Sequence, residues 1–221
     1  MKLTGKRVLV AGMARSGLAA TRLLLRHGAA VTVYDRKAPV ELEAEIKSLP
    51  PEVNTVLGLH GKVDPGVFDL VVTSPGISLD NPLLVESTEA GVPVISEIEL
   101  AYCLKPPGLD LLAVTGTNGK TTTTALIADI LRMSGIPSAA AGNIGIPLAQ
   151  AVEELAQGMI AVECSSFQLE TINRFHPRCS GVINVTPDHL DRHRTMENYA
   201  EIKSRVFMNQ DPDEYTVLNL M

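Results

Sequence analysis

The sequence predicts an α/β protein of two consecutive domains, a Rossmann-like first domain and a P-loop NTPase-type second domain. Three observations predict it. Short apolar runs alternate with segments of helical period along the chain, the pattern of parallel βα units. The first strand-to-helix junction carries Gly12-x-Ala14-x-x-Gly17, with Asp35 about 20 residues on, close to the dinucleotide-binding pattern. A later junction carries Gly116-Thr-Asn-Gly-Lys-Thr121, the order of a phosphate-binding loop.

In the first domain Arg7–Gly12 reads as a strand, Ser16–Arg26 as a helix closed by Gly28, and Ala30–Asp35 as a second strand. Ala14 stands where a glycine lets a diphosphate touch the backbone. The turn therefore fits either a nucleotide-like ligand, with Asp35 accepting from a sugar or base, or a tight turn that binds nothing. Asn54–Gly58 and Asp69–Ser74 are further strands, the second running into Pro75-Gly-Ile77 at the carboxyl edge, where open α/β sheets bind ligands. Asn81–Ala90 is a helix with Pro82 near its start. Val92–Ser96 is a strand, Ile98–Leu104 a helix and Lys105-Pro-Pro-Gly108 a linker. The boundary is expected between Ser96 and Leu109, giving domains 1–97 and 98–221.

Leu111–Val114 then reads as a buried strand, broken by Gly116 and Gly119. Thr121–Ser134 is a helix with Leu126, Ile127, Ile130, Leu131 and Met133 as its apolar residues, closed by Gly135. Glycines let backbone N–H groups turn onto an anion, and the helix N-terminus adds partial positive charge. Lys120 would reach the β/γ-phosphates and the Thr121 hydroxyl would ligate Mg²⁺. Val114 stands where the general pattern has glycine, and a glycine turn with an incidental lysine is the alternative. Ala139–Gly145 is a small-residue strand and turn presenting Asn143. Pro147–Gln157 is a helix, and Met159–Glu163 a strand ending in a carboxylate. Glu163 is placed either to hold Mg²⁺ beside the loop or to cap the next helix.

Gly181–Thr186 reads as a strand delivering Pro187-Asp-His-Leu-Asp-Arg-His193. Its two histidines lack a third ligand of a usual zinc pattern, and Asp188 and Asp191 are placed to cap the following helix. That helix, Met196–Asn209, carries a stripe of Met196, Tyr199, Ile202, Val206 and Phe207, with Lys203 inside its arc. Either the lysine stem packs while its ammonium snorkels outward, or the amine is desolvated and stays neutral often enough to react. Such an amine takes up CO₂ and becomes a carbamate, an anionic metal ligand.

Aromatic residues make up 4% of the 221, so the core is expected to be aliphatic. The net charge of −6 gives no support to a nucleic-acid partner. Three cysteines at no metal-ligand spacing argue against a disulfide framework or zinc site. No signal-peptide pattern or bilayer-length apolar run is present, so a cytoplasmic protein with no membrane partner is expected.

Five stretches together resemble the Mur ligases: Gly116-Thr-Asn-Gly-Lys-Thr121, Gly142-Asn-Ile-Gly145, Glu163-Cys-Ser-Ser-Phe-Gln-Leu-Glu170, Asn184-Val-Thr-Pro-Asp-His-Leu-Asp-Arg-His193 and Tyr199-Ala-Glu-Ile-Lys203. Ser74-Pro-Gly-Ile77 and Ser165-to-Glu170 are similar to the family's D-glutamate-adding branch. The resemblance implies a ligase that uses ATP to phosphorylate the carboxylate of UDP-N-acetylmuramoyl-L-alanine, after which the amine of D-glutamate displaces phosphate. It implies that Gly116, Thr117, Asn118, Gly119, Lys120, Thr121 and Thr122 hold the triphosphate. Thr121 and Glu163 would ligate one Mg²⁺, and His189 and carbamylated Lys203 a second. Lys120, Asn143, His189 and Lys203 would be catalytic. Arg15, Ser16, Asp35, Arg36, Lys37, Ser74, Gly76, Asn143 and His189 would line the sugar-nucleotide site. The family also has a third domain that binds the incoming amino acid, whereas this sequence stops at Thr216-Val-Leu-Asn-Leu-Met221. The chain as written is therefore expected to bind the UDP-sugar, to bind ATP weakly and not to form the amide by itself; a monomer is expected. The alternatives are a sister ligase for another amino acid, a nicotinamide-dependent dehydrogenase suggested by Gly12 to Asp35, and a nucleotide-sensing module.

Overall fold

The computed structural model describes residues 1–59 and 61–219. Leu220 and Met221, the end of the run expected as a last strand, lie outside the described residues. The first sheet is parallel, in the order β3-β2-β1-β4-β5, formed by β1 (Arg7–Ala11), β2 (Ala30–Asp35), β3 (Asn54–Leu57), β4 (Leu70–Thr73) and β5 (Val94–Ser96). The helices between them are α1 (Arg15–Arg26), α2 (Glu43–Ser48) and α3 (Pro82–Glu89). The strand order reverses between β1 and β4, and such switch points open a crevice at the carboxyl edge. Gly17 makes the β1–α1 turn possible, because a Cβ there would stand 1.9 Å from the Gly12 carbonyl oxygen.

Helix α4 (Glu97–Leu104) leads into the second sheet, with Ser96 as its N-cap. That sheet is also parallel, in the order β10-β9-β6-β8-β7. Its strands are β6 (Gly108–Thr115), β7 (Ser138–Gly142), β8 (Gln157–Glu163), β9 (Cys179–Val182) and β10 (Tyr215–Leu218). Between them lie α5 (Lys120–Met133), α6 (Leu148–Glu154), α7 (Ser166–Leu169), α8 (Leu190–His193) and α9 (Met196–Ser204). One aliphatic core runs from β1, β2 and α1 through α4 into β6, α6 and β8. Among the described residues no helix is long and apolar enough to cross a membrane.

Four expectations are corrected. The strand placed at Gly181–Thr186 is β9 at Cys179–Val182; beyond Ile183 the backbone leaves the sheet to bond the phosphate loop. The helix expected over Pro147–Gln157 ends at Glu154, since Gln157 already pairs with Gly108 in the sheet. The last helix ends at Ser204 and tightens into a 3-10 turn, Arg205–Phe207. Its cap is Thr195, which accepts from the Asn198 N–H, rather than Asp188 or Asp191. In addition, α5 buries Thr124 and Ala128 and leaves Leu126, Ile130 and Met133 exposed.

Candidate active site

Both domains aim the carboxyl ends of their strands at one cavity of about 860 Å³. From the first domain it is lined by Arg15, Ser16, Asp35, Arg36, Lys37, Ser74 and Gly76, and from the second by Asn143. These are all the sugar-nucleotide residues expected, except His189. Asp35 shapes the mouth: its carboxylate accepts from the Met13 N–H at 2.8 Å and from the Lys37 N–H at 3.0 Å. The Arg15 guanidinium reaches across the domain boundary and donates to the Gly145 carbonyl, at the end of the Asn143 turn.

The phosphate loop lies beyond Asn143 and is joined to it through one carboxylate. Glu163, at the end of β8, is 1% exposed. One oxygen accepts from the Asn143 amide at 2.7 Å and the other from the Thr121 hydroxyl at 2.8 Å. Gly119, at φ +82°, caps α5 in the left-handed region that favours glycine. The first-turn N–H groups, at Lys120, Thr121 and Thr122, have no carbonyl one turn earlier to bond and face the loop. Lys120 folds back onto the Gly116 and Thr117 carbonyls at 2.9 and 2.8 Å.

Lys203 decides between its two readings. It is 1% exposed, and its ammonium donates to the Gly116 carbonyl at 2.7 Å and lies 4.5 Å from the centre of the Tyr199 ring. Snorkelling is therefore excluded. Burial, aided by the nearby Lys120 charge, lowers the amine from the usual 10.5 to about 8. One carbonyl thus collects both lysines. His189 sits at the loop's far side at φ +51°, half-exposed, 3.5 Å from Asp188. Among the described residues His189 and Lys203 share no hydrogen bond. His193 turns inward instead, 2.9 Å from the Ser166 hydroxyl and stacked on Tyr199; burial lowers its pKa.

Asn184 opens the Asn184-to-His193 stretch, and spacing alone assigns it no role. Its side chain accepts from the Thr117 and Asn118 N–H groups at 3.0 and 2.9 Å and donates to the Asn118 carbonyl at 3.0 Å. It braces the phosphate loop from the segment just beyond β9. The only available signal was an amide residue where β9 leaves the sheet beside a glycine loop.

The comparisons with known proteins match this architecture domain by domain. Residues 6–96 fit the model of the Mur ligase MurD-like N-terminal domain, and residues 114–221 that of the Mur ligase middle domain. The chain belongs to the Mur ligase family. It is 48% identical over 224 residues to a UDP-N-acetylmuramoylalanine–D-glutamate ligase of Caldanaerobacter subterraneus subsp. tengcongensis, covering 99% of this chain and 49% of that protein. The ligase of the same name from Koribacter versatilis is 46% identical, with 99% and 48% covered. The chain spans about half the length of the curated Mur ligases it matches. A crystal structure of the Neisseria UDP-N-acetylmuramate:L-alanyl-gamma-D-glutamyl-meso-diaminopimelate ligase matches 98% of this chain and 72% of that one, with a TM-score of 0.61 at 17% identity. That match speaks for the Mur ligase fold alone.

Proposed function

We propose that this chain supplies the sugar-nucleotide and ATP sites of a cytoplasmic ligase that adds D-glutamate to UDP-N-acetylmuramoyl-L-alanine in peptidoglycan precursor synthesis. The observation that carries the reading is the unbroken line from the shared cavity through Asn143 and Glu163 to Thr121. It lets a sugar nucleotide lying against the first domain present its terminal carboxylate to a triphosphate on the loop.

The chemistry balances as two displacements. A carboxylate oxygen attacks the γ-phosphorus and ADP leaves, giving an acyl phosphate; the glutamate amine then attacks the acyl carbon, loses a proton, and phosphate leaves. Positioning and charge neutralisation carry most of such a transfer. Arg15, Arg36 and Lys37 supply positive charge at the cavity mouth for a diphosphate. Lys120 exchanges its two loop carbonyls for β/γ-phosphate oxygens.

Two cation sites fit the donor sets unequally. Glu163 is a buried carboxylate held only by neutral donors, so it and Thr121 suit Mg²⁺, which would neutralise the developing phosphate charge. His189 and Lys203 would serve a second Mg²⁺ only with Lys203 carbamylated, since a protonated amine repels a cation. The buried amine with its lowered pKa favours that modification.

Titration of the chain with UDP-N-acetylmuramoyl-L-alanine, ATP with Mg²⁺, and NADH tests the reading. UDP-sugar binding, with ATP binding strengthened by it, is expected. Tight NADH binding without UDP-sugar binding would overturn it in favour of a dehydrogenase.

A further inference from the structure

We infer that Arg192 is a positioning residue that fastens the first domain's Pro75–Ile77 loop to the second domain, and so holds the two ends of the cavity in register. This rests on the ligase reading for the identity of the ligand but not for the contact itself.

Arg192 lies on α8, outside the cavity, with its side chain 16% exposed. Its Nε donates to Glu170 Oε1 at 3.1 Å, and its Nη2 to the other carboxylate oxygen. The guanidinium plane covers the Phe167 ring at 4.2 Å. The outer edge of the fork faces the first domain, with Nη1 3.5 Å from the Pro75 carbonyl and Nη2 3.5 Å from the Ile77 carbonyl. Both carbonyls flank Gly76 in the cavity wall. Only a planar fork with five donors serves a carboxylate on one side and two carbonyls on the other; an ammonium presents a single charged point.

The same anchor leads to the phosphate loop. Glu170 Oε1 stands 3.4 Å from His193 Nδ1, His193 stacks on Tyr199 at 5.1 Å, and the Tyr199 hydroxyl is 3.3 Å from the Thr117 hydroxyl. Phe167, pinned under Arg192, also lies 4.9 Å from the His189 ring. Arg192 thus ends a continuous series of packed groups between the sugar-nucleotide loop and the triphosphate loop.

The test compares wild type, R192A and R192K in the ligand-free chain by amide hydrogen exchange, alongside thermal unfolding. In R192A exchange at Ile77, whose N–H donates to the Ser74 carbonyl at 3.0 Å, rises about tenfold, the size of one lost charge-assisted contact. The β1 amides, Val8 to Ala11, stay protected. R192K gives an intermediate rise. Acceleration spread evenly over both domains, or none at Ile77, overturns the inference. The second arm measures UDP-N-acetylmuramoyl-L-alanine affinity with and without ADP and Mg²⁺. The strengthening of one ligand by the other shrinks several-fold in R192A, and an undiminished coupling overturns the inference. Localised exchange in a chain that binds no UDP-sugar refutes the ligase reading and leaves the clasp standing.

Discussion

At Lys203 the sequence pattern and the structure together produce a testable titration. Its amine has no carboxylate partner among the described residues and rests on one carbonyl and one ring. The folded pKa of about 8 lies below the usual 10.5. Between those values the unfolded chain holds a proton that the folded site has released, so stability rises with pH through that window. Below it, both states are protonated and the buried charge costs a constant amount. K203M is expected to flatten the rise in denaturation midpoint. Isotope-labelled bicarbonate should give a carbamate carbonyl resonance in wild type that K203M lacks. Glu97 runs the other way. It is 1% exposed, one oxygen accepts from the Ala149 N–H, and the other has no hydrogen-bond partner among the described residues. Burial raises it from 4.5 to about 7, opposed by that N–H. Stability is therefore lost as pH rises from the lower value to the higher. E97Q should be more stable than wild type at pH 8, by roughly 3 kcal/mol, and equal to it at pH 4.

Helix α4 shows what an element can hide from a sequence reading. Its span was legible, because Ser96 precedes an apolar run and Lys105-Pro-Pro-Gly108 ends it. Its tie to the segment after α7 was not. Glu99 is 2% exposed and accepts the N–H groups of Asn173, Arg174 and Phe175 at 3.0, 2.8 and 2.8 Å. Residues some 75 positions apart leave no periodic trace of such a contact. E99A leaves the buried Phe175 donor and the part-buried Asn173 and Arg174 donors without their acceptor and should cost about 2 kcal/mol, read from denaturant unfolding. The βα alternation was readable for a local reason: most strands are short runs closed by glycine or acid, as at Gly12, Asp35, Gly58, Gly116, Gly142 and Glu163. The strand shift at β9 and the short α6 were not readable, since sheet pairing with distant segments sets those ends. In the site, Glu163 ends β8, Asn143 follows the last residue of β7 and Thr121 lies in the first turn of α5, the positions the strand and helix pattern gives them. Which of them touch depended on the register of β7 against β8, where Gly142 pairs with Glu163. Of the five apolar residues of α5, three (Leu126, Ile130 and Met133) face outward, because periodicity names a stripe without saying what covers it.

At the scale of the whole molecule, two parallel sheets share one core and turn their carboxyl edges to one cavity. Arg15 and Arg192 cross the domain boundary in opposite directions beside it. The outer face of the second domain is different in kind: Leu126, Ile130 and Met133 lie exposed, near a groove of about 520 Å³ over β6, β9 and β10. The most direct test of the central claim is a crystal structure of the chain with UDP-N-acetylmuramoyl-L-alanine and a non-hydrolysable ATP analogue. The alanine carboxylate and the γ-phosphate should face each other beside Asn143 and Lys120. The two ligands bound on separate faces, with the Asn143–Glu163–Thr121 line spanning empty space between them, would contradict it.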